Sequence, residues 1–154
     1  MTTTTDVVQR ESFRDTCWNT FRRHGYFFKE AAMLTIGLGV VMHVLRVIYG
    51  DEFALKYVIT PTTDKILLVP MTYAAITGIL SYRRMVFANR AHRIALTAAL
   101  AYITLSVPLH LYVAFVLGDV SFYVHMAGYW FSYLLLCLVY PMFLFMLSRV
   151  RYKD

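Results

Sequence analysis

Four apolar segments, each long enough to cross a lipid bilayer, alternate with polar segments along the chain. They cover approximately residues 31–49, 66–82, 94–118 and 121–147. The third segment has about 25 residues without a charged side chain, which at ~1.5 Å per residue is more than a ~30 Å hydrocarbon layer requires. The pattern therefore predicts an all-α integral membrane protein, with a four-transmembrane-helix bundle over residues 31–148.

The residues before the first apolar segment follow a different pattern. Asp6 and Gln9 fit a capping box at a helix start. After it, apolar side chains recur at helical spacing opposite arginines. The apolar residues are Phe13, Cys17, Trp18 and Phe21, and the arginines are Arg10, Arg14 and Arg22. Residues 1–30 are thus predicted to form a cytoplasmic tail with an amphipathic helix in the membrane interface. The alternative is a solvated basic arm that contacts a partner subunit.

Basic residues are distributed unevenly between the two ends of the predicted spans. Twelve of the 15 lysines and arginines flank one end: Arg10, Arg14, Arg22, Arg23, Lys29, Arg83, Arg84, Arg90, Arg93, Arg149, Arg151 and Lys153. Only Arg46, Lys56 and Lys65 belong to the other end. The positive-inside rule then predicts that the N-terminus and the basic tail 149–154 both face the cytoplasm, across an inner or organellar membrane.

The composition agrees with a membrane location and changes the interpretation of the net charge. Hydrophobic residues make up 59% of the chain and the mean hydropathy is +0.56, more apolar surface than a soluble domain of this length can bury. The net charge of +6 follows from topology, so no nucleic-acid partner is expected. The expected partners are the lipid bilayer and other membrane subunits or further copies of the chain. Cys17 and Cys137 should lie at different depths, which predicts two free thiols.

Three histidines within the apolar segments have similar predicted depths. His43, His110 and His125 lie about five to seven residues from the non-cytoplasmic end of their segments, roughly 7 to 10 Å below the surface. Ionisable residues inside a membrane are candidates for function, because their desolvation has to be compensated. Arg46, three residues after His43, lies on the same helix face.

The matched depths lead to several hypotheses for a cofactor site. The first is haem b with His43 and His110 as axial ligands and Arg46 pairing with a propionate. The second is an iron or copper ion bound by His43, His110 and His125. The same histidines would also suit a quinone pocket. The alternative is that each histidine hydrogen-bonds a tyrosine, a serine or a backbone carbonyl of a neighbouring helix.

The remaining ionisable residues are predicted to lie outside the spans. Asp51, Glu52, Asp64 and Asp119 fall in the non-cytoplasmic connections and are expected to be solvated. The absence of a carboxylate within any predicted span argues against a proton pump or cation carrier. His92 is expected to be exposed on the cytoplasmic side.

The sequence thus favours a small membrane subunit of a larger redox-active assembly, of respiratory or photosynthetic type, and predicts no catalytic residue. A small oligomeric transporter or channel is a second hypothesis, which small-residue helix faces and prolines within the spans favour. A membrane enzyme acting on a lipid or quinone, with His110 or His125 as a base, is a third. The third lacks a nucleophile or a carboxylate partner for the base.

Overall fold

The chain is an all-α integral membrane protein, as the sequence predicts. The computed structural model describes residues 19–20 and 23–153. They include four helical segments that are long and apolar enough to span a membrane: Phe28–Val58, Pro61–Arg84, Arg90–Leu117 and Tyr129–Ser148, named the first to fourth spans. The predicted interfacial helix and Cys17 fall mainly or wholly outside the described residues, whereas Cys137 is an exposed free thiol.

Regular helices and short irregular turns together build these spans. The helices are α1 (Phe28–Phe53), α2 (Pro61–Ser81), α3 (Arg90–Tyr112), α4 (Ser121–Met126), α5 (Tyr129–Leu134) and α6 (Tyr140–Ser148). Three π-helical turns, Ala54–Val58, Val113–Leu117 and Leu135–Val139, extend or join them. Two 3₁₀ turns cover Gly25–Phe27 and Tyr82–Arg84. The strands β1 (Met85–Val86) and β2 (Arg151–Tyr152) form an antiparallel pair.

Helix α2 begins five residues before the predicted segment because of its cap. The Thr63 amide donates to the Thr60 hydroxyl at 3.2 Å, and the Thr60 amide donates to the Thr63 hydroxyl at 2.8 Å. Pro61 occupies the first helical position, where the missing N–H costs nothing. Asp64 therefore lies in the first turn of a spanning helix rather than in a connection.

Two breaks interrupt the helices at the end of the protein that is predicted to be non-cytoplasmic. Gly50 has φ of +87°, a left-handed conformation that favours glycine, and it kinks the first span. Ala127 and Gly128 interrupt the segment predicted over 121–147, so α4 is a separate short helix and the fourth span starts at Tyr129. The residues predicted to form one long span over 121–147 thus belong to α4 and to the fourth span.

Apolar side chains from all four spans meet in one core. Phe28, Ala74, Leu96 and Leu147, one from each span, are all almost completely buried. Gly78 allows the first three spans to approach closely, since the Phe28 ring and a Leu100 methyl group pack directly over it. The close approach increases dispersion contacts, which dominate helix association in lipid.

The end of the protein with most arginines is held together by polar contacts between chain segments. Strand pairing matches Met85 with Tyr152 and Val86 with Arg151. His92 is only 3% exposed, and its Nε2 lies 3.1 Å from the Met146 carbonyl oxygen. The expectation of an exposed His92 is therefore wrong, because His92 lies in the first turn of α3 and faces the fourth span.

Replacing Gly78 by alanine tests the close packing of the first three spans. The added Cβ would lie 2.8 Å from the Phe28 ring, so we expect the free energy of unfolding to fall by about 1–3 kcal/mol. Gly37→Ala is the matched control, because no atom lies within 4 Å of a Cβ at that position. Thermal or chemical unfolding in detergent measures both. Equal stability of the two variants would contradict the packing described.

Candidate functional site

A cavity of about 270 Å³ lies between the four spans, in the half of the protein nearest the acidic end. The acidic end is the end that carries Asp51, Asp64 and Asp119. Most of the wall is apolar and includes Ile36, Leu67, Met71, Ile103, Leu109, Phe131 and Leu135. Polar side chains on the wall include His43, Arg46, Asp64, His110 and Tyr123. An apolar cavity with a few converging polar groups is the usual form of a small-molecule site.

Asp64 is the centre of the first polar group at this cavity. Its carboxylate is 1% exposed and is bound by side chains from two other elements. His110 of the third span places Nδ1 2.5 Å from Asp64 Oδ1, and Tyr123 of α4 donates its hydroxyl to Oδ2 at 3.0 Å. The Tyr123 hydroxyl also lies 3.0 Å from His110 Nδ1. The carboxylate thus joins the second span, the third span and α4.

The expectation that Asp64 is solvated is wrong. The Thr60–Thr63 cap starts α2 early and orients the first helical turn so that Asp64 faces the interior. The buried carboxylate is compensated by its hydrogen bonds to the His110 imidazole and the Tyr123 hydroxyl. A carboxylate therefore does lie within a spanning helix, so the absence of one no longer counts against proton-dependent transport.

Arg46 is the centre of the second polar group. The residue is 2% exposed, and its Nε donates to Asp51 Oδ1 at 2.6 Å. Gly50 has a left-handed conformation that bends the chain, and Asp51 follows directly after this bend. The Nη1 and Nη2 atoms donate to the Ser132 hydroxyl at 3.2 Å and to the Ala127 carbonyl at 3.3 Å. A guanidinium group has five N–H bonds, so two make no hydrogen bond to the described residues.

Ser132 connects Arg46 to His43. The hydroxyl is fully buried, accepts from Arg46 and lies 3.0 Å from His43 Nδ1. Tyr129, one turn earlier in the fourth span, directs its hydroxyl to the carbonyl oxygens of Arg46 and Val47 at 2.8 and 2.9 Å. These contacts fix the start of the fourth span against the first span, at the break after Ala127.

The pKa of Tyr123 supports its role as a hydrogen-bond donor. Burial raises this pKa well above the usual value, and the negative charge and hydrogen bond of Asp64 raise it further. Tyr123 consequently keeps its proton at any physiological pH and donates it to the carboxylate. Asp119, exposed in the neighbouring connection, has its pKa lowered by hydrogen bonds from the hydroxyl and amide of Ser121. That carboxylate stays ionised in solvent and takes no part in the cavity.

The two cavity histidines present different hydrogen-bonding atoms. When the Ser132 hydroxyl donates its hydrogen to His43 Nδ1, the proton of a neutral His43 ring lies on Nε2. An ionised Asp64 requires a proton on His110 Nδ1, which leaves Nε2 of a neutral His110 as an acceptor. Neither Nε2 atom has a hydrogen-bond partner in the described part of the chain. With these tautomers, the cavity wall has one imidazole donor and one imidazole acceptor.

The structure brings together three of the four predicted site residues. His43, Arg46 and His110 all line the cavity. His125 is exposed on α4, with Nδ1 2.8 Å from the Ser121 carbonyl oxygen, and it is not part of the cavity wall. Across residues 19–20 and 23–153, no cluster of three or more histidine, cysteine, aspartate or glutamate side chains is placed to hold a metal ion.

The side chains at the cavity could bind haem, but the cavity is small for it. Imidazoles that bind a metal commonly hold their other ring nitrogen in a hydrogen bond, as His43 and His110 both do. Arg46 is already paired with Asp51 rather than left for a propionate. The volume lies just below the ~300–1,000 Å³ of typical small-molecule pockets, and a porphyrin is a large macrocycle. A ligand with a single ring suits this volume better.

Comparison with protein-family models, curated proteins and solved structures found no match to this chain. Function is therefore inferred from the geometry of the cavity.

Ser132→Ala tests whether the second polar group stabilises the protein. The change leaves a buried Arg46 N–H and His43 Nδ1 without their partner, so we expect unfolding to become easier by about 1–3 kcal/mol. Ser148→Ala is the control, since the exposed Ser148 hydroxyl donates only to the Phe145 carbonyl of its own helix. That variant should change stability by less than about 0.5 kcal/mol. Similar losses in both variants would show that the buried network contributes little.

Proposed function

We propose that this protein is a membrane subunit that binds a quinone-type ligand in the cavity, within a larger redox-active assembly. One observation carries the proposal: an apolar cavity among the spanning segments is lined by two histidines, each hydrogen-bonded at Nδ1 and without a partner at Nε2 among the described residues. Quinones combine a flat apolar ring with two polar oxygens and dissolve in the hydrocarbon layer, so their chemistry matches such a cavity.

The two histidines match both redox forms of a quinone ring. His43 Nε2–H is a donor for a carbonyl oxygen of the oxidised form. A neutral His110 Nε2 is an acceptor for a hydroxyl group of the reduced form. The pair therefore offers a hydrogen-bonding group to each redox form of the ligand.

The apolar wall supports the same ligand class. Leu67, Met71, Ile103 and Leu135 surround the space below the polar groups, and the Tyr140 ring lies 5.9 Å from the His43 ring. Gly39 allows the Tyr140 hydroxyl to approach the first span at this wall, because a Cβ at that position would lie 2.8 Å from it. Ring-shaped ligands gain from such aromatic and apolar neighbours.

The architecture in the membrane is part of the proposal. The four spans form a transmembrane bundle with both termini on the cytoplasmic side, which the excess of arginine at that end supports. The cavity then lies toward the non-cytoplasmic leaflet. Electrons reach or leave the ligand through another subunit of the assembly. Fusions of a compartment-sensitive reporter to each terminus test the orientation, and activity on the non-cytoplasmic side would contradict it.

His110→Gln tests ligand binding against a matched control. Purified protein in nanodiscs is titrated with a short-chain benzoquinone, and binding is followed by calorimetry. Loss of the imidazole and of its pairing with Asp64 should weaken binding on the order of tenfold. His125→Gln removes the same residue type from an exposed position and should bind as the unchanged protein does.

Two results would overturn the proposal. One is the absence of saturable quinone binding to the unchanged protein, and the other is equal weakening in the two variants. An optical spectrum of the same preparation, made after expression with ample haem, decides between the cofactors. A Soret band that disappears in His110→Gln would identify haem rather than quinone as the ligand.

A further inference from the structure

The end of the protein opposite the cavity presents a surface of exposed cations, named the basic plate. Its members share exposure and closeness to the ends of the spans: Arg83, Arg90, Arg93, Arg149, Arg151 and Lys153. They come from the end of the second span, from the start of α3 and from the segment after α6. Three separate parts of the chain therefore contribute to one surface.

The backbone of the basic plate is held by contacts rather than left as loose loops. Pairing of β1 with β2 joins the segment after α6 to the connection between the second and third spans, and the Lys153 amide donates to the Arg84 carbonyl at 2.8 Å. The His92 ring bridges α3 to the Met146 carbonyl of α6. The Arg149 guanidinium carbon lies 4.1 Å from the centre of the Phe145 ring. The cations are thus presented by a defined framework.

The basic plate has more charge than the acidic residues described at this end, where Glu30 lies close enough to Tyr152 for its charge to act on it. The ion pairs Arg46–Asp51 and His110–Asp64 lie at the acidic end. Arg90 and Arg93 lie in the first turn of α3, where the helix dipole is positive and no acidic residue is present. Cations at a helix N-terminus are unfavourable unless an anion lies nearby. The excess of cations and the absence of an acidic residue in the first turn of α3 both favour an external anion at this surface.

We propose that the basic plate binds the headgroup phosphates of anionic phospholipids in the adjacent leaflet and retains such lipids when the protein is extracted. The position supports lipid as the source of the phosphate, because the plate lies where apolar spans end and headgroups begin. Ile94 and Val86, both exposed beside the cations, provide apolar contacts to the start of the acyl chains.

Native mass spectrometry of the whole protein tests this lipid site. The protein is extracted from nanodiscs that contain equal amounts of phosphatidylcholine and phosphatidylglycerol, and retained lipids are counted. We expect phosphatidylglycerol to be retained in preference, and Arg93→Gln with Arg151→Gln to reduce its retention on the order of tenfold. Lys56→Gln with Lys65→Gln removes two exposed cations from the acidic end and should leave retention unchanged.

The possible results test the lipid site independently of the proposed quinone binding. Equal retention of the two lipids, or equal losses in the two double variants, would overturn it. Complete displacement of the lipid by millimolar inorganic phosphate would show a site for free phosphate and would also overturn it. Added salt should weaken retention, since the cations are exposed and screened. The lipid measurement contains no quinone, so a negative result in it would not bear on the proposed quinone binding.

Discussion

A carboxylate buried among apolar helices imposes the main constraint on this structure. Removing an ionised group from water is costly unless nearby donors or charges replace its hydration. Asp64 meets that requirement with His110 and Tyr123, which belong to different elements. The relative positions of the second span, the third span and α4 are therefore linked through one side chain. If any of these elements moves, the carboxylate loses a partner in a medium that provides no substitute.

The second polar group extends the same constraint to the rest of the acidic end. Arg46 requires Asp51, which follows the bend at Gly50, and it also requires Ser132 and the carbonyl released at the break after Ala127. The irregular backbone thus provides the partners of a buried cation. Nonhelical backbone at membrane depth is tolerated where it is buried within the protein or lines a cavity. The two groups leave an apolar space between them, with imidazole nitrogens at its wall.

The sequence predicts the number and type of spans, because about twenty apolar residues in a row allow few other structures. It also identifies His43, Arg46 and His110, since ionisable residues inside apolar segments stand out. The sequence pattern places Asp64 in a connection because the apolar run begins only at Ile66, two residues later. The Thr-Pro-x-Thr pattern of residues 60–63 is a local signal for the earlier start. The partners of the histidines depend on helix rotation, which low amphipathicity leaves undetermined.

The coupling between Asp64 and His110 tests the central claim most directly. A double-mutant cycle of Asp64→Asn and His110→Gln, measured as free energies of unfolding in the same detergent, isolates their interaction from the rest of the network. We expect a coupling energy of about 1–3 kcal/mol, as for side chains in direct contact within one network. Additive effects, with a coupling below about 0.5 kcal/mol, would contradict the view that this pair organises the acidic end.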